Sequence, residues 1–118
     1  SFLELKKQFY LSIISALAIH STLKKLNVGN IKIKWPNDIY VEGKKIAGVL
    51  IENQLKGDKI NSSIIGIGLN VNEIEFQDFV ATSIKNEIGE FKNVKEVLYS
   101  FLYSFSKIQL HHLYQHIR

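Results

Sequence analysis

The sequence predicts an α+β fold in which an antiparallel or mixed sheet is flanked by helices. Apolar residues follow helical spacing at both ends of the chain and alternate with polar residues in the middle. Strands that are grouped between helices are typical of this fold class. The chain has 118 residues, of which 46% are hydrophobic and 22% are charged, as expected for one soluble globular domain.

The first predicted element is an amphipathic helix. We expect it to end within 27–30, where Gly29 supplies the stop. Two lysines followed by an apolar run at 9–19 also resemble a secretory signal, but Ser12 and Ser15 interrupt that run. It is also shorter than the ~20 apolar residues that a membrane span needs. The helix places one broad apolar face opposite its lysines, formed by Tyr10, Ile13, Ile14, Leu17, Leu23 and Leu26.

Three or four strands follow this helix. Ile31, Ile33 and Trp35 alternate with lysines, which indicates a half-buried strand that Pro36 ends. Because only a short turn separates the two long strands, we expect them to pair in antiparallel fashion. The further strands are predicted at 39–41, 45–54 and 60–71, with turns at 42–44 and 56–59.

Two helices are predicted after the strands, one at 76–88 that ends at Gly89 and one at 94–117. His111, His112 and His116 lie on the second of these helices without a carboxylate or cysteine partner. We therefore interpret them as an exposed helix face rather than a metal site.

The composition restricts the functions that the chain can have. The net charge is +4, yet the single arginine is Arg118, which makes sequence-specific reading of DNA bases a poor candidate function. The absence of cysteine excludes disulfides, thiolate metal sites and a cysteine nucleophile, and it fits a cytoplasmic location. The absence of methionine indicates a piece of a longer protein.

Glycines mark one candidate site on the long strands. Gly66, Gly68 and Asn70 share one face of the last strand, and two glycines on one face indicate close approach of a ligand or of a tightly packed helix. Gly66 to Gly68 matches neither a dinucleotide fingerprint nor a phosphate loop. On the preceding strand, strict alternation places Lys45 on the same face as Ala47.

The only tryptophan and the only proline form a second candidate site, since Asn37 and Asp38 follow them. Proline fixes the local bend and would present both polar side chains from a rigid turn. The alternative is an Asx turn in which Asp38 bonds its own backbone. Two roles are also open for Lys45. It is either a solvated turn residue or a residue that holds a carboxylate or phosphate oxygen.

Three segments in order strongly resemble the biotin protein ligases, enzymes also called biotin-[acetyl-CoA-carboxylase] ligases. They are KWPNDIY at 34–40, GKKIAGVLIE at 43–52 and IGIGLNVN at 65–72, and ATSI at 81–84 resembles the helix that follows the glycine strand. The resemblance implies the catalytic domain fold that these ligases share with class II aminoacyl-tRNA synthetases. It also implies a two-step reaction, in which ATP and Mg²⁺ activate biotin as biotinyl-5'-adenylate and a carrier-protein lysine takes the biotinyl group.

The resemblance also assigns roles to single residues. Lys45 and Asp38 are expected to be catalytic, Lys45 at the biotin carboxylate and phosphate and Asp38 beside the incoming lysine. Nucleotide contacts are expected at Asn37, Asn70 and Phe79, with Phe76 as the alternative aromatic residue and Asn70 also near magnesium. Contacts to the substrate are expected at Lys45, Gly48, Trp35, Asn37, Gly66 and Gly68.

The sequence also lacks two features of the biotin protein ligases. The glycine-arginine loop that precedes the tryptophan motif is absent, and so is the small C-terminal barrel, so 1–118 is predicted to be the C-terminal portion of the catalytic domain. We expect little activity from it alone. A lipoate protein ligase and a non-catalytic adenylate-binding module are the alternatives.

The implied partner is the biotin carboxyl carrier domain of acetyl-CoA carboxylase. A homodimer is allowed, DNA is a partner only if the parent protein has a winged-helix domain, and no membrane is expected.

Overall fold

The computed structural model describes residues 2–77 and 80–117, and it confirms the predicted α+β class. Four strands form one antiparallel sheet in chain order, and the long first helix lies on one face of it, with the long last helix packed against the first. We call the opposite sheet face the outer face. The elements are α1 (Phe2–Lys25), β1 (Ile31–Lys34), β2 (Asp38–Val41), β3 (Lys44–Lys56), β4 (Lys59–Leu69), α2 (Ile84–Ile88) and α3 (Val94–Ile117).

Both hairpin turns are two residues long, close to the predicted positions. Glu42 and Gly43 join β2 to β3 with φ angles of 49° and 80°, so both central residues are left-handed, as a type I′ turn requires. Gly57, with a φ of 69°, lies in the turn between Lys56 and Lys59 that joins β3 to β4. Turn composition therefore sets the register of the sheet.

Helix α1 ends at Lys25, and the residue that stops it is Asn27 rather than the predicted Gly29. Asn27 has a φ of 67°, and its N–H donates to the Lys24 carbonyl at 3.0 Å. The Val28 N–H donates to the Leu23 carbonyl at 3.0 Å, which completes a Schellman motif. Asparagine adopts the left-handed conformation more readily than most residues, so it replaces glycine here.

The predicted apolar face of α1 is only partly correct. Leu23 is fully buried, but Tyr10 and Leu17 are 36% and 40% exposed. Ser15 and Ala16 are fully buried in their place. The sheet and α3 both pack against α1, and small side chains allow this close approach from more than one side.

The predicted helix at 76–88 is wrong for the described residues 76–77 and 80–83, because α2 covers only Ile84–Ile88, and residues 78–79 lie outside the described part of the chain. Ala81 instead forms an isolated parallel bridge with Lys45 of β3. Backbone groups that bond to a sheet cannot also bond within a helix. Ser83 begins α2 as its N-cap, since its hydroxyl accepts from the Asn86 N–H at 3.1 Å, and Gly89 ends it as predicted.

The hydrophobic core lies between the sheet and the helices. Its fully buried members come from several elements: Ile19 and Leu23 of α1, Ile39 of β2, Ile46 of β3 and Ile84 of α2. The core therefore occupies one face of the sheet and leaves the outer face for other uses.

We expect Leu23→Ala to lower the free energy of unfolding by roughly 2–5 kcal/mol, because it leaves a cavity in a fully buried site. Leu55→Ala, at a residue that is 64% exposed near the β3–β4 turn, should change it by no more than about 0.5 kcal/mol. Urea denaturation of both variants checks this. Equal losses would contradict the assignment of the core.

Candidate functional site

The turn between β1 and β2 carries Asn37 and leads directly into Asp38. Lys34 and Asp38 pair across the two strands, so residues 35–37 form a short loop, in which the Trp35–Pro36 peptide bond is cis. The Val49 N–H of β3 donates to the Asn37 carbonyl at 2.7 Å. This bond anchors the loop to the centre of the sheet. The side chains of Trp35 and Asn37 remain exposed beside it.

A β-bulge in β3 determines where Lys45 points. Ile39 pairs with Ala47 and Tyr40 pairs with Lys45, so Ile46 is an extra residue with no partner in β2. Ile46 and Ala47 are consecutive, yet both are buried. The extra residue reverses the alternation of side chains on its N-terminal side.

The bulge makes the sequence prediction for Lys45 wrong. The Lys45 side chain does not share a face with Ala47. Its Cε and Nζ lie 3.3 Å from the position that a Cβ on Gly48 would take, on the outer face. A prediction from strict alternation could not place the Lys45 side chain on the outer face, because it assumes that the strand contains no inserted residue.

Lys45 forms an ion pair with Asp38 on the outer face. The Lys45 Nζ is 3.2 Å from the Asp38 Oδ1, and the two side chains are 46% and 36% exposed. An ion pair in such solvent contact contributes little to stability. Both charged groups can therefore exchange this partner for a ligand.

Glycines leave the outer face beside this pair open. Asp38, Gly48 and Gly68 are direct neighbours on three adjacent strands, and Gly66 lies opposite Leu50. A Cβ on Gly48 would lie 3.3 Å from Lys45, so this glycine gives the lysine its room. A Cβ on Gly68 would meet no atom within 4 Å. Within the described part of the chain, no helix packs closely against Gly68, so close helix packing does not account for a glycine at this position.

The ion pair borders an open cleft of about 360 Å³. Of the predicted site residues, Lys45, Gly48, Gly68 and Asn70 line it, whereas Trp35, Asn37, Asp38 and Gly66 lie outside its lining. Phe76 is half-buried and does not line the cleft, and Phe79 falls outside the described residues. Five further residues line the cleft and were not predicted as site residues: Tyr40, Ile46, Ala47, Val80 and Ala81.

Asn70 joins the cleft to the segment before α2. Its Nδ2 donates to the Thr82 carbonyl at 3.0 Å, and its N–H donates to the Ile46 carbonyl at 3.0 Å. The Ile84 N–H donates to the Asn70 carbonyl at 3.0 Å. Asn70 therefore builds the wall of the cleft as well as lining it. Its amide oxygen is a candidate ligand for a metal that arrives with a nucleotide.

Within residues 2–77 and 80–117, no group of three or more histidine, cysteine, aspartate or glutamate side chains could hold a metal ion. The helices in this same part of the chain are too short or too polar to cross a membrane.

Comparison with known proteins identifies the family of the chain. Residues 2–70, more than half of the chain, match the model of the biotin/lipoate A/B protein ligase family. The chain belongs to this family. A curated relative, the bifunctional ligase/repressor BirA of Bacillus subtilis, is 37% identical over 109 residues, which are 87% of this chain and 33% of the relative. The biotin–[acetyl-CoA-carboxylase] ligase of Paracoccus denitrificans is 36% identical over 63 residues, 52% of this chain and 26% of the relative.

Solved structures of the family agree with the fold. The apo structure of the biotin protein ligase from Aquifex aeolicus matches with a TM-score of 0.73 and 34% identity, over 88% of this chain and 47% of that chain. Its complex with biotin and ATP matches with a TM-score of 0.70 and 34% identity, over 84% and 42%. The chain thus spans about a third of the length of the BirA relative and less than half of the solved ligase.

We expect Lys45→Ala and Asp38→Asn each to change the free energy of unfolding by less than about 1 kcal/mol, because the ion pair is exposed. Urea denaturation of the two variants measures this. A loss of several kcal/mol from either variant would show that the pair is structural and is not available to a ligand.

Proposed function

We propose that the protein containing this chain is an ATP-dependent biotin protein ligase. The observation that carries the proposal is the Lys45–Asp38 pair beside a glycine-lined cleft, in a chain of the biotin/lipoate A/B protein ligase family. The relatives named as biotin ligases and the solved ligase with biotin and ATP support biotin and ATP as its substrates.

In the first step, a carboxylate oxygen of biotin attacks the α-phosphorus of ATP. The bond from that phosphorus to the pyrophosphate oxygen breaks, and biotinyl-5'-adenylate and pyrophosphate form. Negative charge accumulates on the phosphoryl oxygens, and the exposed Lys45 ammonium can leave Asp38 to neutralise it. Gly48 and Gly68 let the reacting groups approach the sheet backbone, and the cleft holds the two substrates together.

In the second step, the amine of an acceptor lysine attacks the acyl carbon of the adenylate. The bond between that carbon and the phosphate oxygen breaks, AMP leaves, and the attacking nitrogen loses a proton. Asp38 can orient this amine and accept its proton, since its carboxylate is 36% exposed at the start of β2. Asn37 and Trp35, exposed on the neighbouring loop, would contact the adenylate or the acceptor.

The nucleotide end of the site is assigned to Asn70 and Phe79, whereas Gly66 is assigned to contacts with the substrate. Magnesium would be held mainly by ATP phosphates and water, with the Asn70 amide oxygen as its ligand from this chain. This fits Mg²⁺, which often keeps several waters and binds with substrate phosphates. When bound, the metal would neutralise phosphate charge.

We propose that 1–118 is the C-terminal portion of the catalytic domain of this ligase, located in the cytoplasm. Its length relative to the relatives supports this, as does the absence of the family's glycine-arginine loop from the sequence. The acceptor that we propose is the biotin carboxyl carrier domain of acetyl-CoA carboxylase. A homodimer remains a prediction, and DNA is a partner only if the parent protein has a winged-helix domain.

The test uses the parent protein with Mg²⁺, ATP, a carrier domain, and either biotin or lipoate, and the carrier is weighed by mass spectrometry. We expect a gain of one biotinyl group. A lipoyl gain would favour the lipoate ligase of the same family. No gain from either acid would favour an adenylate-binding module. The isolated chain should give little product beside the parent, and equal turnover would contradict the fragment proposal.

We expect Lys45→Ala to lower the rate of adenylate formation roughly 10²–10³-fold, because it removes a cation from the developing phosphoryl charge. Pyrophosphate release measures this rate. Lys44→Ala, next to it in the turn-proximal end of β3 and also exposed, is the matched control and should stay within about threefold of the parent. Equal losses from the two variants would contradict the role of Lys45.

We expect Gly68→Ala to weaken binding of a non-hydrolysable biotinyl-adenylate analogue about tenfold or more, because the added methyl group enters the cleft. Calorimetry measures the dissociation constant. The control is Gly29→Ala, where a Cβ also meets no atom within 4 Å but lies away from the cleft. Unchanged binding by Gly68→Ala would place the ligand elsewhere.

A further inference from the structure

The backbone of Lys45 is held by the segment that precedes α2. The Lys45 N–H donates to the Val80 carbonyl at 2.7 Å, and the Lys45 carbonyl accepts from the Thr82 N–H at 2.9 Å. These bonds form the isolated parallel bridge between Lys45 and Ala81. They lie next to the β-bulge, where β4 no longer pairs with β3. The position of the Lys45 Cα therefore depends on residues 80–82.

Thr82 holds this segment in place with three separate groups. Its N–H donates to Lys45, its carbonyl accepts from the Asn70 Nδ2 at 3.0 Å, and its Oγ1 donates to the Glu87 Oε2. Thr82 is only 1% exposed. A hydrogen bond to a carboxylate is among the stronger side-chain bonds, and burial reduces competition from water.

The Thr82–Glu87 bond connects the segment to α2. Glu87 lies in that helix, and the helix is fixed in the core by the fully buried Ile84. The connection thus runs from the hydrophobic core through Glu87 and Thr82 to the backbone of Lys45.

We propose that Thr82 is a positioning residue for Lys45, with Glu87 as the anchor of its hydroxyl group. This inference rests on the proposed ligase function, in which the Lys45 ammonium must meet the reacting carboxylate and phosphate. Thr82 does not line the cleft. It acts by fixing the backbone from which the lysine side chain extends, and small displacements of such a group lower rates steeply.

The decisive variant is Thr82→Val in the parent protein, which keeps the shape of the side chain and removes the hydroxyl group. Thr82→Ser restores the hydroxyl group. Thr22→Val is the matched control, because Thr22 is also fully buried and its Oγ1 donates to the Ala18 carbonyl at 2.8 Å in α1, away from the cleft. Glu87→Ala, which removes the acceptor from a half-buried position, replaces Thr82→Val if that variant does not fold.

We expect Thr82→Val to lower kcat for adenylate formation roughly tenfold, with KM for biotin and for ATP within about threefold of the parent. Thr82→Ser should recover most of the rate, and Thr22→Val should keep it. In a Lys45→Ala background, Thr82→Val should lower the remaining rate by less than about twofold, because its effect passes through the lysine. An equal loss in both backgrounds, or no loss in either, would overturn the proposal.

Hydrogen exchange separates this inference from the ligase proposal, since it requires no activity. The Lys45 amide should exchange about tenfold faster in Thr82→Val, whereas the Val49 amide, bonded to the Asn37 carbonyl, should be unchanged. Unchanged exchange at Lys45 would overturn the positioning role even in an active enzyme. A parent without adenylate formation would instead refute the ligase function.

Discussion

The extra residue in β3 is the constraint on which the rest of the site depends. Because Ile46 has no partner in β2, Lys45 lies on the outer face while Ile46 fills the core. A regular strand would direct Lys45 toward the apolar face, where an unpaired charge is very costly. The inserted residue therefore allows Ile46 to be buried in the core and Lys45 to pair with Asp38 on the outer face.

The two faces of the sheet have different roles: one face packs in the core, and the outer face carries the candidate site. Ile39 and Ala47 are buried in the core, while their neighbours Asp38 and Gly48 lie on the outer face. The Lys45–Asp38 pair is in contact with solvent, so it adds little to the stability of the fold and is free to rearrange around a ligand. The cleft is bounded on its far side by residues 80–81, which take the place of β4 beside the start of β3. The site is thus assembled by backbone pairing of three strands and one irregular segment.

Much of this arrangement could be predicted from the sequence. Alternating apolar residues gave the strands, and Glu42, Gly43 and Gly57 marked the turns, because these signals are local. The helical prediction failed at residues 80–83 because the backbones of Val80 and Thr82 bond to Lys45 of β3, a partner distant in the chain. The face of Lys45 was missed for a similar reason, since a bulge changes the period of two and no nearby residue announces it.

The candidate site was located by motif resemblance more than by periodicity. The structure brings Lys45, Gly48, Gly68 and Asn70 to one cleft, with Asp38 paired to the lysine. Trp35 and Asn37 stand on the adjacent loop, outside that lining. Tyr40 could have been predicted as a site residue once its pairing with Lys45 was known. The role of Thr82 could be recognised only from the contacts of the folded chain.

The most direct test of the account is biotin-dependent exchange of labelled pyrophosphate into ATP by the parent protein. This exchange reports reversible adenylate formation and needs no carrier protein. The account predicts that label enters ATP when biotin is present, that omitting biotin abolishes the exchange, and that Asp38→Asn, whose carboxylate acts in the second step, retains most of it. Exchange that does not require biotin, or its absence under all conditions, would contradict the claim that this cleft activates biotin.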